Sequence, residues 1–150
     1  MTVHIRSTRD PLRTDKKRIK KITEDLLASL ELQDRDISIL FTDNAGIQEY
    51  NRRFFGKDRP TNVISFGYGT GFAGEVLGDL VISLERAGEE SERSGVPFYE
   101  RVFALIIHGI LHVLGYDHET GAREARRMRY REKKLLHYVL SHALFKDLTL

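Results

Sequence analysis

The chain is predicted to be a single α/β (α+β) domain over residues 1–150, with a small mixed four-stranded sheet and helices packed mainly on one side. Its 150 residues suit one domain with a core of its own. Strand-like and helix-like periods alternate along the chain, and a pair of helical segments closes it. This interleaved order predicts a layered α/β arrangement, although it leaves the order of the strands open.

The first half of the chain predicts two strand–helix units. Residues 2–6 read as a short strand, and Thr14 can cap a helix over 14–32 in which Ile and Leu recur at helical spacing. Residues 36–42 alternate apolar and other side chains, which predicts a strand buried on one face. A helix over 43–56 follows, with a threonine or aspartate cap before it and a glycine at its end.

The second half of the chain adds two strands and three helices. A Gly-rich loop separates the two strands, and the second helix is apolar almost all round, which predicts burial. The predicted ranges are strands at 61–66 and 76–84, the loop at 67–74, and helices around 89–93, at 97–114 and at about 121–145.

Charge and cysteine content narrow the function classes. The chain has no cysteine, which excludes disulfides and thiolate metal sites. Net charge is only +2, yet residues 1–21 balance at +6, residues 22–50 at −6 and residues 123–134 at +5. Such basic blocks can hold a phosphate backbone, although solvated helix faces explain them too. We find no signal peptide and no membrane-spanning segment in the sequence, and expect a cytoplasmic protein without a membrane partner.

Three histidines carry the strongest chemical signal. His108 and His112 are four residues apart, so they share one face of the apolar helix. Gly115 can end that helix, and His118 can then fold back towards the first two. Three imidazoles without a fourth protein ligand are typical of a catalytic zinc site with an open position. Nickel or cobalt would also suit these ligands.

The spacing matches the metzincin protease pattern with one departure. Gly109 occupies the position where those proteases have their glutamate base. Asp117 and Glu119 are the nearest acidic residues and are candidates to orient a ligand imidazole or to assist catalysis. Hydrolysis of a phosphodiester depends less on a general base from the protein, because the metal activates water and cations hold the phosphate. The missing base and the basic blocks therefore favour nucleic acid as the substrate.

Three segments resemble the YbeY family of metal-dependent endoribonucleases. Residues 108–118, HGILHVLGYDH, are similar to its H-G-x-L-H-L-x-G-Y-D-H signature. Residues 51–66, NRRFFGKDRPTNVISF, and 77–83, LGDLVIS, resemble its two other blocks and fall in the same order.

The resemblance implies a bacterial, cytoplasmic enzyme that cleaves single-stranded RNA. It implies a role in 16S rRNA 3′-end maturation and ribosome quality control, with the ribosome or its small subunit as partner and no DNA substrate. It also implies a metal helix packed against a small sheet, distantly similar to metzincins. His108, His112 and His118 carry over as the ligands of one Zn²⁺.

One departure from the family pattern matters for function. Phe55 stands where the family has an arginine that lines the cleft, so a guanidinium that could clamp phosphate is missing there. Arg53 is our first choice as its catalytic replacement. The other candidate RNA-binding cations are Arg52, Lys57, Arg59, Arg123 and Arg127.

Two other functions remain open at this point. The chain could be a metallopeptidase or other metallohydrolase, which requires a carboxylate close to the metal-activated water. It could also be a non-catalytic ribosome- or RNA-binding module, in which the metal only stabilises the fold.

Overall fold

The computed structural model describes residues 3–67, 76–116 and 121–148. Within these ranges the chain forms four strands, five α-helices and one 3₁₀ turn. The strands are β1 (Val3–Ser7), β2 (Asp36–Thr42), β3 (Val63–Gly67) and β4 (Val76–Ser83). The helices are α1 (Lys16–Ser29), α2 (Asn44–Phe55), α3 (Leu84–Ser94), α4 (Phe98–Val113) and α5 (Ala122–Leu140), and the 3₁₀ turn is Phe145–Asp147.

The four strands form one mixed sheet in the order β1-β2-β4-β3. β1 and β4 both run parallel to β2, whereas β3 is antiparallel to β4. Leu80 lies at the middle of the sheet, with Ile39 of β2 on one side and Ser65 of β3 on the other. The sheet confirms the predicted four-stranded mixed architecture, and it leaves β3 as one of the two edge strands.

The main core lies between one face of this sheet and the helices α1, α3, α4 and α5. Ile39, Leu80 and Ile82 of the sheet pack there with fully buried side chains of α4, such as Phe103 and Ile106. Burial of this apolar surface is the main force that holds α4 in place. The prediction of a buried apolar helix packed against the sheet is therefore confirmed.

A smaller core on the opposite face corrects one prediction. Leu40 and Val81 point to this face and pack against Ile47 of α2 and Ile64 of β3. Because α2 covers this side, the second half of β2 is buried on both faces. The expectation of a strand buried on one face only is thus wrong for residues 39–42. Helices do lie mainly on one side, as predicted, with α2 as the exception.

Both ends of α1 differ from the sequence prediction. The cap of α1 is Asp15, whose carboxylate accepts from the backbone N–H of Arg18 at 3.1 Å; the Thr14 hydroxyl instead donates to Asp10. The same helix ends at Ser29, because Glu31 adopts a left-handed φ of 60°.

The last helix ends at Leu140, five residues before the predicted end. His142 follows it and pairs through Nε2 with Oδ2 of Asp25 on α1 at 2.7 Å. The Leu144 backbone N–H donates to Nδ1 of the same ring at 3.1 Å. These two bonds hold a turn at the point where the sequence pattern still allowed a helix.

Among the described residues, no single helix is long and apolar enough to cross a membrane. α3 and α4 would reach the required length together, but they are bent by 119° at their junction.

Candidate metal centre

Two imidazoles of α4 converge on one point. His108 and His112 are one helical turn apart, and their Nε2 atoms lie 3.1 Å from each other. Two nitrogens that each lie 2.0–2.1 Å from a tetrahedral zinc are separated by about 3.3 Å. The ring pair therefore fits a shared metal ion with little adjustment. The third predicted ligand, His118, lies outside the described residues, as do Asp117 and Glu119.

A carboxylate of α5 orients the first of these rings. Oε2 of Glu132 lies 3.0 Å from Nδ1 of His108. A carboxylate can only accept this hydrogen bond, so it favours the tautomer with the proton on Nδ1, in which the lone pair of Nε2 is directed towards the second imidazole. Carboxylate–histidine–metal chains of this kind fix the tautomer and ring orientation of a ligand. The residues present thus fit a zinc ion in donor type, spacing and support.

The sequence analysis did not identify Glu132, although a signal was present. Met128, Leu135 and Val139 are the buried residues of α5. Glu132 lies four residues after the first of them and three before the second, so helical geometry places it on the same inward face. A glutamate on the apolar face of a helix opposite two histidines predicts a ligand-orienting role.

Gly109 allows α4 to lie close to the sheet. A Cβ at this position would be 2.6 Å from Cδ2 of Leu80, the central residue of β4. Gly78 has the same function further along the strand, where a Cβ would be 2.5 Å from the Phe66 carbonyl oxygen and 3.0 Å from the Val113 side chain. The glycine in the glutamate position of the protease pattern is therefore explained by packing against a side chain.

A cleft of about 660 Å³ opens beside the two histidines. One side is formed by α4 and the residues that follow it, and the other by β3 and the loop over residues 57–60, which we call the cationic loop. The described residues around the cleft are mostly polar, and none of them is Asp or Glu. They are Asn51, Phe55, Lys57, Arg59, Pro60, Thr61, Asn62, Val63, Ile64, Ser65, His108, Gly109, His112, Gly115 and Tyr116.

A buried asparagine of α2 anchors the cationic loop. Nδ2 of Asn51 donates to the Arg59 carbonyl oxygen at 3.0 Å, and the Asn51 carbonyl oxygen accepts from the Lys57 backbone N–H at 3.2 Å. Between them, Oδ1 of Asp58 accepts from the side-chain amide of Gln48 at 2.9 Å. These bonds fix the backbone on both sides of the two cationic residues. Asn51 is a second residue that the sequence analysis missed. Its position four residues after Ile47 was the available signal, because this spacing places it on the same buried face of α2.

The predicted cations divide into two groups by position. Lys57 and Arg59 line the cleft, as do the polar residues Thr61 and Ser65. Arg52 instead pairs with Glu49 on the exposed side of α2. Arg53, our first choice for the replacement of the family arginine, is absent from the cleft lining and lies 5.7 Å from the Phe54 ring centroid. Lys57 and Arg59 are therefore the cations among the described lining residues, and a catalytic role of Arg53 stays a prediction.

Of the two basic candidates on α5, Arg127 lies close to a residue of the cleft lining. The guanidinium carbon of Arg127 is 5.9 Å from the ring centroid of Tyr116, which lines the cleft, and the same group pairs with Glu124 at 3.1 Å. Arg123 is exposed on the first turn of the helix. Both cations are available to solvent, and neither is part of the cleft lining.

Comparison with known proteins identifies the family. A family model described as endoribonuclease YbeY matches residues 3–139. The chain belongs to this family. The endoribonuclease YbeY of Geobacter sulfurreducens is 44% identical over 135 residues, which cover 87% of this chain and 89% of that protein. The protein of the same name from Syntrophus aciditrophicus is 37% identical over 144 residues, with coverage of 93% and 90%.

A solved structure agrees with this assignment. The solution structure of TM1509 from Thermotoga maritima aligns with a TM-score of 0.68 and 25% identity, covering 93% of this chain and 89% of that one. The predicted YbeY family and fold class are therefore confirmed. Membership also confirms the prediction of an enzyme, a hydrolase of the endoribonuclease class.

Phe55 stands at the position where the sequence resemblance led us to expect an arginine. The side chain lines the cleft, is 51% exposed, and stacks on Phe66 with ring centroids 5.8 Å apart. It contributes an aromatic face to the cleft, while positive charge comes from Lys57 and Arg59 close by.

Proposed function

We propose that this chain is a zinc-dependent endoribonuclease that cleaves single-stranded RNA. The observation that carries the proposal is the convergence of two imidazole Nε2 atoms, 3.1 Å apart, beside a cleft that also contains Lys57 and Arg59. An RNA strand brings a negatively charged phosphate at every nucleotide, and such a cleft offers both a metal and cations to hold it. His118 is the proposed third ligand.

Each described residue of the site has a definite task in this proposal. When bound, zinc supplies Lewis acidity that activates water and polarises a phosphoryl oxygen. His108 and His112 hold the ion, and Glu132 keeps the His108 ring in the ligating orientation. Lys57 and Arg59 bind the non-bridging oxygens of the phosphates, and Asn51 keeps both of their backbones in place.

The positions of the acidic residues favour RNA cleavage over peptide cleavage, as far as the structure describes the chain. Peptide hydrolysis at such a centre requires a carboxylate near the activated water. Among the described lining residues, none is acidic, and position 109 of the protease pattern is a glycine. Glu132 lies at the Nδ1 edge of its histidine, which is the edge turned away from the ligating nitrogen. Asp117 and Glu119 stay candidates for a catalytic or orienting task, and Arg53 stays the weakest of the predicted catalytic residues.

A ribonuclease assay with one matched pair of variants tests the proposal. Zinc-loaded protein is incubated with a labelled single-stranded RNA, a duplex of the same sequence and the corresponding DNA. We expect cleavage of the single-stranded RNA alone, and a loss of about 100-fold or more in His112→Ala because the metal site is broken. His137→Ala is the control, since His137 is an exposed histidine of α5. Equal cleavage by both variants would reject the proposal.

The same assay separates the remaining alternatives. Cleavage of a peptide substrate with RNA left intact would favour the metallopeptidase. RNA binding without cleavage under zinc, nickel and cobalt, together with a large loss of melting temperature on metal removal, would favour the non-catalytic module. Metal content measured after purification, followed by reconstitution with each of the three ions, identifies the metal that supports activity.

We also propose that the natural substrate is rRNA in the cytoplasm, with the small ribosomal subunit as partner. The family match supports RNA as the substrate, and the exposed basic face of α5 around Arg123 and Arg127 supports contacts with a larger RNA surface. Co-sedimentation with small subunits tests this at several salt concentrations. Replacement of both arginines by alanine should reduce the salt dependence of that association.

A further inference from the structure

Two neighbouring phenylalanines at the end of α2 are both exposed, and they line different grooves. Phe54 is 56% exposed and Phe55 is 51% exposed. Phe54 lines a separate groove of about 600 Å³ against the sheet, whereas Phe55 lines the cleft beside the histidines. Both rings contact Phe66, at centroid distances of 5.2 Å and 5.8 Å. The two side chains thus share a structural neighbour but differ in which groove they reach.

The Phe55 ring lies parallel to its neighbour and remains half exposed. Its plane makes an angle of 21° with that of Phe66, so the inner ring supports the outer one as a flat platform. A large aromatic ring that stays half exposed to water gains only part of the free energy that full burial would provide. This ring is adjacent in sequence to Gly56 and the cationic loop, which together turn the chain into the cleft wall.

Single-stranded RNA needs partners of two kinds in such a cleft. Its phosphates are bound by cations, and its unstacked bases regain stability on flat side chains. Lys57 and Arg59 are cations that can bind the phosphates, and the Phe55 ring is a flat side chain on which a base can stack. Phe55 therefore offers the cleft a flat stacking surface that complements the charge of the cationic loop.

We propose that Phe55 is a base-stacking residue of this enzyme. Its ring receives one nucleobase of the bound strand, close to the nucleotide whose phosphate lies at His108 and His112. This inference rests on the proposed RNA substrate. It assigns Phe55 to substrate binding, whereas the cationic loop provides the charge that holds the phosphates.

The test compares Phe55→Leu with Phe55→Trp and with Phe54→Leu as the matched control. Leucine keeps apolar volume without a flat face, and tryptophan keeps the face. Binding is measured in a His112→Ala background, so that the RNA stays intact, with hexanucleotides that carry 2-aminopurine at each position in turn. Urea unfolding of both leucine variants reports any loss of stability through the shared contact with Phe66.

We expect 2-aminopurine fluorescence to be quenched at one position, and this quenching to be lost in Phe55→Leu but kept in Phe55→Trp. Phe55→Leu should weaken binding by about fivefold or more, since one stacked base contributes at least that much. In the protein with intact histidines the same change should raise KM and leave kcat nearly unchanged. Phe54→Leu should bind and cleave RNA as the unchanged protein does.

Two outcomes would overturn the inference. If Phe55→Leu binds and cleaves RNA as well as the unchanged protein does, while that protein cleaves RNA normally, the proposed function stands and the stacking role fails. If Phe54→Leu loses as much RNA binding as Phe55→Leu does, the loss comes through their shared contact with Phe66, and the stacking role fails as well. If the unchanged protein neither binds nor cleaves RNA, the proposed function itself fails.

Discussion

Replacement of Gly109 by alanine tests the close packing of the metal helix on the sheet. The added Cβ would lie 2.6 Å, 3.0 Å and 3.3 Å from three side-chain carbons of Leu80. Carbon atoms in favourable contact are about 3.5–4.0 Å apart, so the new methyl group lacks roughly 1 Å of space. Leu80 is 1% exposed and has strands on both sides, which limits how far it can move away.

The expected magnitude follows from two opposing contributions. Overpacking of a close-packed core costs about 1–3 kcal/mol. Alanine within a helix is about 1 kcal/mol more favourable than glycine. We therefore expect Gly109→Ala to lower the free energy of unfolding by about 0–2 kcal/mol. Because a shifted α4 also moves both ligand histidines, affinity for zinc should fall together with stability.

Gly88→Ala is the matched control for this prediction. Gly88 also lies inside a helix, α3, but a Cβ there would be 4.0 Å from Cε1 of Phe98, which is an ordinary contact. The control should be stabilised by roughly 0.5–1 kcal/mol, as expected from helix propensity alone. Urea unfolding of both variants gives the two values, and zinc titration gives the affinities.

A double-mutant cycle then isolates the contact itself. Leu80→Ala removes the carbons that the new methyl group meets, so Gly109→Ala should cost less in that background than in the unchanged protein. The reasoning is refuted if Gly109→Ala stabilises the protein as much as Gly88→Ala does. It is also refuted if the effects of Gly109→Ala and Leu80→Ala are simply additive.

Three further predictions concern the metal, the cationic loop and acid stability. Glu132→Ala should weaken zinc binding by about 10–100-fold because the ligand ring loses its orienting carboxylate, whereas Glu124→Ala on the same helix should leave affinity unchanged; competition with a chelator measures both. Asn51→Ala should raise KM for RNA and lower the steepness of the salt dependence, since the Arg59 backbone loses the hydrogen bond from the Asn51 side chain while the backbone bond to Lys57 remains; unchanged values at several salt concentrations would contradict this. Burial of the Asp10 carboxyl raises its pKa, but hydrogen bonds from Lys16 and Thr14 outweigh this and hold the pKa below its ordinary value. The resulting stability is present above about pH 4 and lost as the pH falls through the native pKa, so urea unfolding at pH 6 and pH 3 should show a smaller acid-induced loss for Asp10→Asn than for the unchanged protein.

The predicted metal ligands and the helix that carries them could be identified from the sequence because they depend on local spacing. A separation of four residues places the rings of His108 and His112 on one face of any helix that contains them, and the apolar run around them predicts burial. The family resemblance rested on contiguous blocks of the same kind. The alternation of strands and helices, likewise a local pattern, predicted the layered fold and the mixed sheet.

The supporting residues required the tertiary structure, because they act across elements that are distant in the chain. Glu132 reaches its histidine over 24 residues, from a different helix. Whether Lys57 or Arg53 lines the cleft depends on where the loop after α2 lies relative to the metal helix. Burial of both faces of β2 depends on where α2 packs.

The local pattern of this chain thus determined which atoms can bind a metal and which elements carry them. Only the packing of α5, α2 and the sheet around α4 decided which charges and rings surround the predicted metal site. The physical reason is that spacing along a helix is set by covalent geometry and backbone hydrogen bonds. Contacts between elements depend instead on the burial of apolar surface contributed by the entire chain.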